Sequence, residues 1–112
     1  MINLNELAKQ TLYNANKRMC NGANISIETS KMLKHCATEV VEAMEAYSKM
    51  KYLPQLNRNE QDIVNEQFES ELADIICCVL IMASKENIDI EKAVLDCIEK
   101  NRKRADGIGD KL

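Results

Sequence analysis

One proline and three glycines are all that interrupt 112 residues by their own backbone chemistry. Pro54 and Gly22 fall between long stretches whose apolar residues recur every three or four positions, and Gly107 and Gly109 lie near the end. No segment alternates apolar and polar residues as a half-buried strand does. The expected fold class is therefore all-α, with four helices in a single domain spanning residues 1–112. The first helix is expected from about Leu4 to Met19, where Leu4, Leu7, Ala8, Leu12, Ala15 and Met19 make one stripe. Asn3 with Glu6 resembles a capping box before it. The second opens near Ser26 and runs to about Lys51, and Pro54, Asn57 and Asn59 mark the next loop. The third is expected from about Glu60 to Glu86, and the fourth from Ile90 to Ala105, capped by Asp89 with Ile88 as its staple. The tail DGIGDKL is expected to fray.

The third helix carries the anomaly. Leu72 to Ala83 is apolar except for Asp74, and Glu71 stands three residues before that aspartate. A charge in such surroundings costs on the order of several kcal/mol unless compensated. A divalent cation compensates carboxylates and orders them. The second helix repeats the spacing with Glu39 and Glu42, and residues three apart share a helix face. At about 100° per residue, Leu33, Cys36, Val40, Ala43, Met44 and Tyr47 form the expected core stripe of the second helix. Glu39 sits at its edge, Glu42 one step beyond and Glu45 further toward solvent, so the pair is Glu39–Glu42 rather than Glu42–Glu45. On the third helix Val64, Phe68, Ile75, Val79 and Met82 form one stripe. Ile63, Cys77 and Ile81 form another, on the opposite flank of Glu71 and Asp74, with Cys78 between the two acids. The bland alternatives are a solvated face or salt bridges to lysines, and by angle the second and third helices offer no inward cation there. A helix apolar on more than one face needs more cover than a short chain supplies, so a second subunit is expected.

The fourth helix supplies the opposite charge. Its stripe of Ile90, Ala93, Val94, Cys97 and Ile98 continues by angle to Asn101 and Arg104, with Lys100 on the border and Arg102 and Lys103 pointing away. An inward guanidinium suits phosphate oxygens; the plainer reading of EKNRKR is a solvated cluster that offsets the helix dipole. A net charge of −3 gives no footprint for nucleic acid. No apolar stretch reaches membrane-spanning length, and MINLNELAKQ lacks the pattern of a signal peptide, so a cytoplasmic location is expected. Five cysteines without a Cys-x-x-Cys pair read as reduced, small apolar residues. His35, the one histidine, lies one turn before Glu39, where it can orient a carboxylate, contact a base or simply be a helix-surface residue. Tyr47 and Phe68 read as packing, and Tyr13 or Tyr52 as the first candidates for stacking on a base.

TEVVEAMEA followed by ELADII, then Asn101 and Arg104 in EKNRKRADGIG, resembles the MazG-like all-α nucleoside triphosphate pyrophosphohydrolases. The resemblance runs from the first helix to Gly107. It implies a four-helix bundle completed by dimerisation, as a homodimer or a dimer of dimers. It implies magnesium-dependent hydrolysis of a nucleoside triphosphate to the monophosphate and pyrophosphate, with manganese able to replace magnesium, in the manner of nucleotide-pool house-cleaning. Glu39, Glu42, Glu71 and Asp74 are carried over as metal ligands, Glu39 and Glu42 also as catalytic carboxylates, and Asn101, Arg104 and Lys100 as substrate contacts. Residues that recognise the base do not carry over. Two other classes stand beside this one. The first is a non-catalytic helical module whose acidic pairs set oligomer register. The second is a di-iron-type carboxylate bundle, which the lack of a Glu-x-x-His motif weakens.

Overall fold

The computed structural model describes residues 2–19, 27–52 and 56–107. They form α1 (Leu4–Met19), α2 (Thr29–Tyr52), α3 (Arg58–Lys85) and α4 (Ile90–Ala105), with no strand among the described residues. The fold is all-α, as expected. Ser26, Cys20, Pro54 and most of the tail expected to fray lie outside the described residues.

Local chemistry sets the helix ends. Asn3 Oδ1 accepts from the backbone N–H groups of Asn5 (2.9 Å) and Glu6 (3.3 Å), while Glu6 turns to Lys9, 3.5 Å away. Asn3 therefore caps α1 while the Glu6 carboxylate turns outward. The reciprocal box forms at α3, where Asn57 Oδ1 accepts from Glu60 N–H (2.9 Å) and Glu60 Oε1 accepts from Asn57 N–H (3.2 Å). That cap starts α3 at Arg58, two residues ahead of the expected Glu60. At the other end Asn87 takes φ +55°, and the N–H groups of Ile88 and Asn87 close on the carbonyls of Ala83 (2.8 Å) and Ser84 (3.2 Å). This is a Schellman stop with asparagine in the left-handed position. Asp89 then caps α4 by accepting from Lys92 N–H (3.0 Å).

α2 and α3 run antiparallel: Gln61 Nε2 donates to the Met50 carbonyl (3.2 Å), and farther along the rings of Tyr47 and Phe68 meet edge-on at 5.5 Å. α1 packs on α3, and Asn16 Oδ1 accepts from Ile27 N–H (3.0 Å) just before α2 begins. The core joins Ala15, Ile27, Met32, Cys78 and Ile81, with Leu12, Cys36 and Met82 packed on it. The buried line of α2 is Met32, Glu39, Ala43 and Ala46, rotated from the expected stripe. Leu33 (57%), Val40 (43%) and Met44 (65%) are exposed. The small side chains of Ala43 and Ala46 let α3 approach on their side, and the bulkier stripe is left facing an open groove with Tyr47, Phe68, Leu72 and Ile75. On α3, Val64 and Ile81 are buried as expected, but Ile63 and Val79 are exposed.

α4 is held mainly at its start. Asn5 Nδ2 donates to Asp89 Oδ1 (2.9 Å), and Glu91 N–H donates to Asn5 Oδ1 (3.3 Å). No α4 residue is buried, and its expected core residues Val94 and Ile98 are exposed. The radius of gyration is 17.5 Å, against about 13 Å for a compact chain of this size. The chain is extended because its fourth helix does not fold back over the hairpin.

Candidate functional site

Carboxylate oxygens of Glu39 and Glu42 on α2 and of Glu71 on α3 lie within 4.8 Å of one another. The antiparallel hairpin places them so: the buried line of α2 carries Glu39 inward, and Glu71 faces it from the position just before the apolar run of α3. Glu39 is the one buried charged residue among the described residues, Glu71 is half-buried and Glu42 is exposed. Glu39 Oε2 and Glu71 Oε2 are shielded from water and accept no hydrogen bond. On the other oxygen of Glu39, Oε1, His35 Nε2 stands 3.1 Å away.

The electrostatics follow from this crowding. Loss of water raises the Glu39 carboxyl first, a hydrogen bond with Glu71 offsets part of this, and the charges of Glu42 and Asp74 push it up again. Glu71 rises to about 7, again through loss of water first and then through Glu39, Glu42 and Asp74. Anions that have lost their water and repel one another favour protons or a cation. Every donor in the cluster is a carboxylate oxygen, the hard set that magnesium and manganese accept. Two shielded oxygens without partners fit such an ion.

Asp74 is the departure. It was expected between apolar walls, yet it is exposed and stands outside the cluster of three. The flank of α3 beside it, with Ile76 58% exposed and Cys77 also open, has no cover among the described residues. Asp74 does share a cavity of about 260 Å³ with Glu39, His35 and Arg18, floored by Met32, Cys78 and Ile81. A second cavity, about 200 Å³, opens beyond Glu42 and Glu71 toward Glu45 and Lys49. The expectation that no cation faces these acids on α2 is thus corrected: Lys49 lines the same cavity. Its position seven after Glu42, two turns along one face, was the available signal. Arg18 was missed because its place in the cavity with Glu39 and Asp74 depends on how α1 packs on α3.

Asn101, Arg104 and Lys100 line neither cavity. Arg104 is half-buried, while Asn101 and Lys100 are exposed. Arg102 is engaged on its own helix, with Glu99 at 2.7 Å and Asp106 at 2.9 Å. Among the described cysteines all are free; Cys78 is buried and its thiol is pushed up to about 11, chiefly by burial, so it packs as an uncharged side chain. Tyr13 and Tyr52 line neither acidic cavity, and Tyr52 packs on Tyr47 with ring centres 6.4 Å apart. No helix is long and apolar enough to cross a membrane among the described residues.

Residues 27–108 match the family model of the MazG nucleotide pyrophosphohydrolase domain. The match takes in α2, α3 and α4 and leaves α1 outside. No curated protein and no solved structure matches the chain.

Proposed function

The chain belongs to the MazG nucleotide pyrophosphohydrolase family, and on that footing we propose that it hydrolyses a nucleoside triphosphate to the monophosphate and pyrophosphate. The observation that carries the reading is the cluster of Glu39, Glu42 and Glu71 within 4.8 Å, with two shielded and unpartnered oxygens. Glu39, Glu42 and Glu71 would hold a magnesium ion, and Asp74 would join them from the rim of the shared cavity. Such an ion supplies charge neutralisation at the phosphates and acidifies water.

The chain's own groups do the rest. Release of pyrophosphate requires water to attack the α-phosphorus. Glu42 is the water-facing member of the cluster, so it takes the proton of the attacking water, while buried Glu39 holds the geometry of the centre. Arg104 pairs with phosphate oxygens and Asn101 holds a phosphate or sugar oxygen, with Lys100 at the border. Because α4 does not reach the acids within its own chain, these contacts come through assembly: a homodimer in which the exposed stripes of α2, α3 and α4 are covered by a second copy.

The test is a panel of canonical and modified nucleoside triphosphates, scored for pyrophosphate with and without magnesium. Magnesium-dependent release of one pyrophosphate per monophosphate is expected. No turnover of any triphosphate, together with a Tm that magnesium leaves unmoved, would favour a non-catalytic helical module, since only a binding site gains stability from its ion.

A further inference from the structure

We propose that His35 is a positioning residue of the metal centre, a role that rests on the reading of the acidic cluster given above. His35 is one turn before Glu39 on α2, and its Nε2 lies 3.1 Å from Glu39 Oε1. That is ion-pair distance, and Nε2 is the ring atom turned to the carboxylate. The contact engages Oε1 and leaves Oε2, which is shielded from water and without a hydrogen-bond partner. The two oxygens of one carboxylate are thereby made unlike: one is tied to imidazole, the other is free for an ion.

The remaining groups around Glu39 are acids. The charges of Glu42 and Asp74 raise its carboxyl, and a hydrogen bond with Glu71 lowers it, but a bond between two carboxyls needs a shared proton that a bound ion displaces. Arg18 and His35 are the basic side chains of the cavity that contains Glu39, and of these only His35 stands within ion-pair distance of it. His35 itself is half exposed at its side chain while Glu39 is only 11% exposed. The ring thus reaches from the solvent side and fixes the carboxylate below it. A ligand carboxylate that is hydrogen-bonded from outside loses less freedom when it takes an ion, and removal of such an outer partner commonly weakens metal binding by about 10–100-fold.

The experiment measures manganese affinity of the purified full chain directly, by the loss of the free-ion EPR signal, for wild type, His35→Leu and His35→Gln. Glutamine places an amide N–H near the position of imidazole Nε2, whereas leucine has no donor. His35→Leu is expected to weaken manganese binding by roughly 10–100-fold with its metal-free Tm close to wild type. His35→Gln is expected to recover most of the affinity. Equal affinity for wild type and His35→Leu would overturn the role of His35 alone, as would a His35→Gln variant no better than leucine. A wild-type chain that takes up no manganese would overturn the metal centre itself and this inference with it.

Discussion

The α2–α3 hairpin and α4 are written in similar terms, an apolar stripe with charged groups at its edge, yet one chain treats them differently. On the hairpin, Met32, Cys78 and Ile81 are buried and Glu39 is carried in with them. On α4 nothing is buried, and Leu95 and Ile98 stand about as open as the polar residues around them. The acidic half of the proposed site is assembled by a single hairpin, whereas the basic half stays at a distance on a helix pinned at one end. An amphipathic pattern states that a face is to be covered, and it leaves open which surface covers it. For the hairpin the cover comes from the same chain, with Ala15 and Leu12 of α1 packed on Met32, Cys78 and Ile81. For α4 the proposed cover is a second copy.

The largest effect is expected inside the hairpin. Glu39→Gln keeps the shape and removes the buried charge, so metal binding and turnover should be lost, with rate falling by at least on the order of 10²–10³. Metal-free Glu39→Gln should be no less stable than wild type at pH 8, because the repulsion from Glu42 and Asp74 is gone. Thermal unfolding in chelator together with calorimetric titration of magnesium measures both, and retained magnesium affinity would break the acidic half of the comparison.

Next comes the functional edge of α4. Arg104→Ala should lower kcat/KM by about 10²–10³ with magnesium binding retained, whereas Arg102→Ala should be nearly silent because its partners are exposed Glu99 and Asp106 on its own helix. Steady-state kinetics on both variants would show the contrast. Small and equal effects would reduce EKNRKR to a solvated helix end.

The apolar edge of α4 offers a third lever. Val94→Asp with Ile98→Asp places two charges on the stripe that a second copy is proposed to cover. Sedimentation should then show monomer where wild type is a dimer, with the hairpin still helical by circular dichroism. A double variant that sediments like wild type would show that this stripe is not the interface.

The smallest effect concerns protons. Glu71 titrates at about 7 in the folded chain against a usual 4.5. Between those values the folded state holds a proton that the unfolded chain has released, so stability falls as pH rises through this window and the penalty is complete above it. Metal-free protein should therefore have a higher Tm near pH 5 than near pH 8, and Glu71→Gln should shrink that difference. Magnesium should raise the Tm at pH 8 more than at pH 5, since protons compete for the same oxygens. A difference that Glu71→Gln leaves unchanged would place the titrating group elsewhere.

Much of this protein was written into neighbouring residues. The scarcity of glycine and proline, the capping residues Asn3, Asn57 and Asp89, and the apolar spacing determined four helices with ends close to those found. The acidic pairs at three-residue spacing singled out Glu39, Glu42 and Glu71, because such a spacing shares a face whatever the helix meets. What lay beyond reach was everything that depends on the distance between helices. Angles alone put Leu33, Val40 and Met44 in the core beside Ala43 and left Ala46 out, because the helical period was visible and the close approach of α3 was not. Asp74 was expected to be dry and Glu39 to be marginal, and the packed hairpin reverses them. Arg18, 21 residues before Glu39, the nearest acid of the cluster, enters the same cavity only because of how α1 packs on α3. Local hydrogen bonding and side-chain period are properties of a few successive residues. Which carboxylate loses its water is set by what packs against it from another part of the chain, and only the tertiary structure decides that.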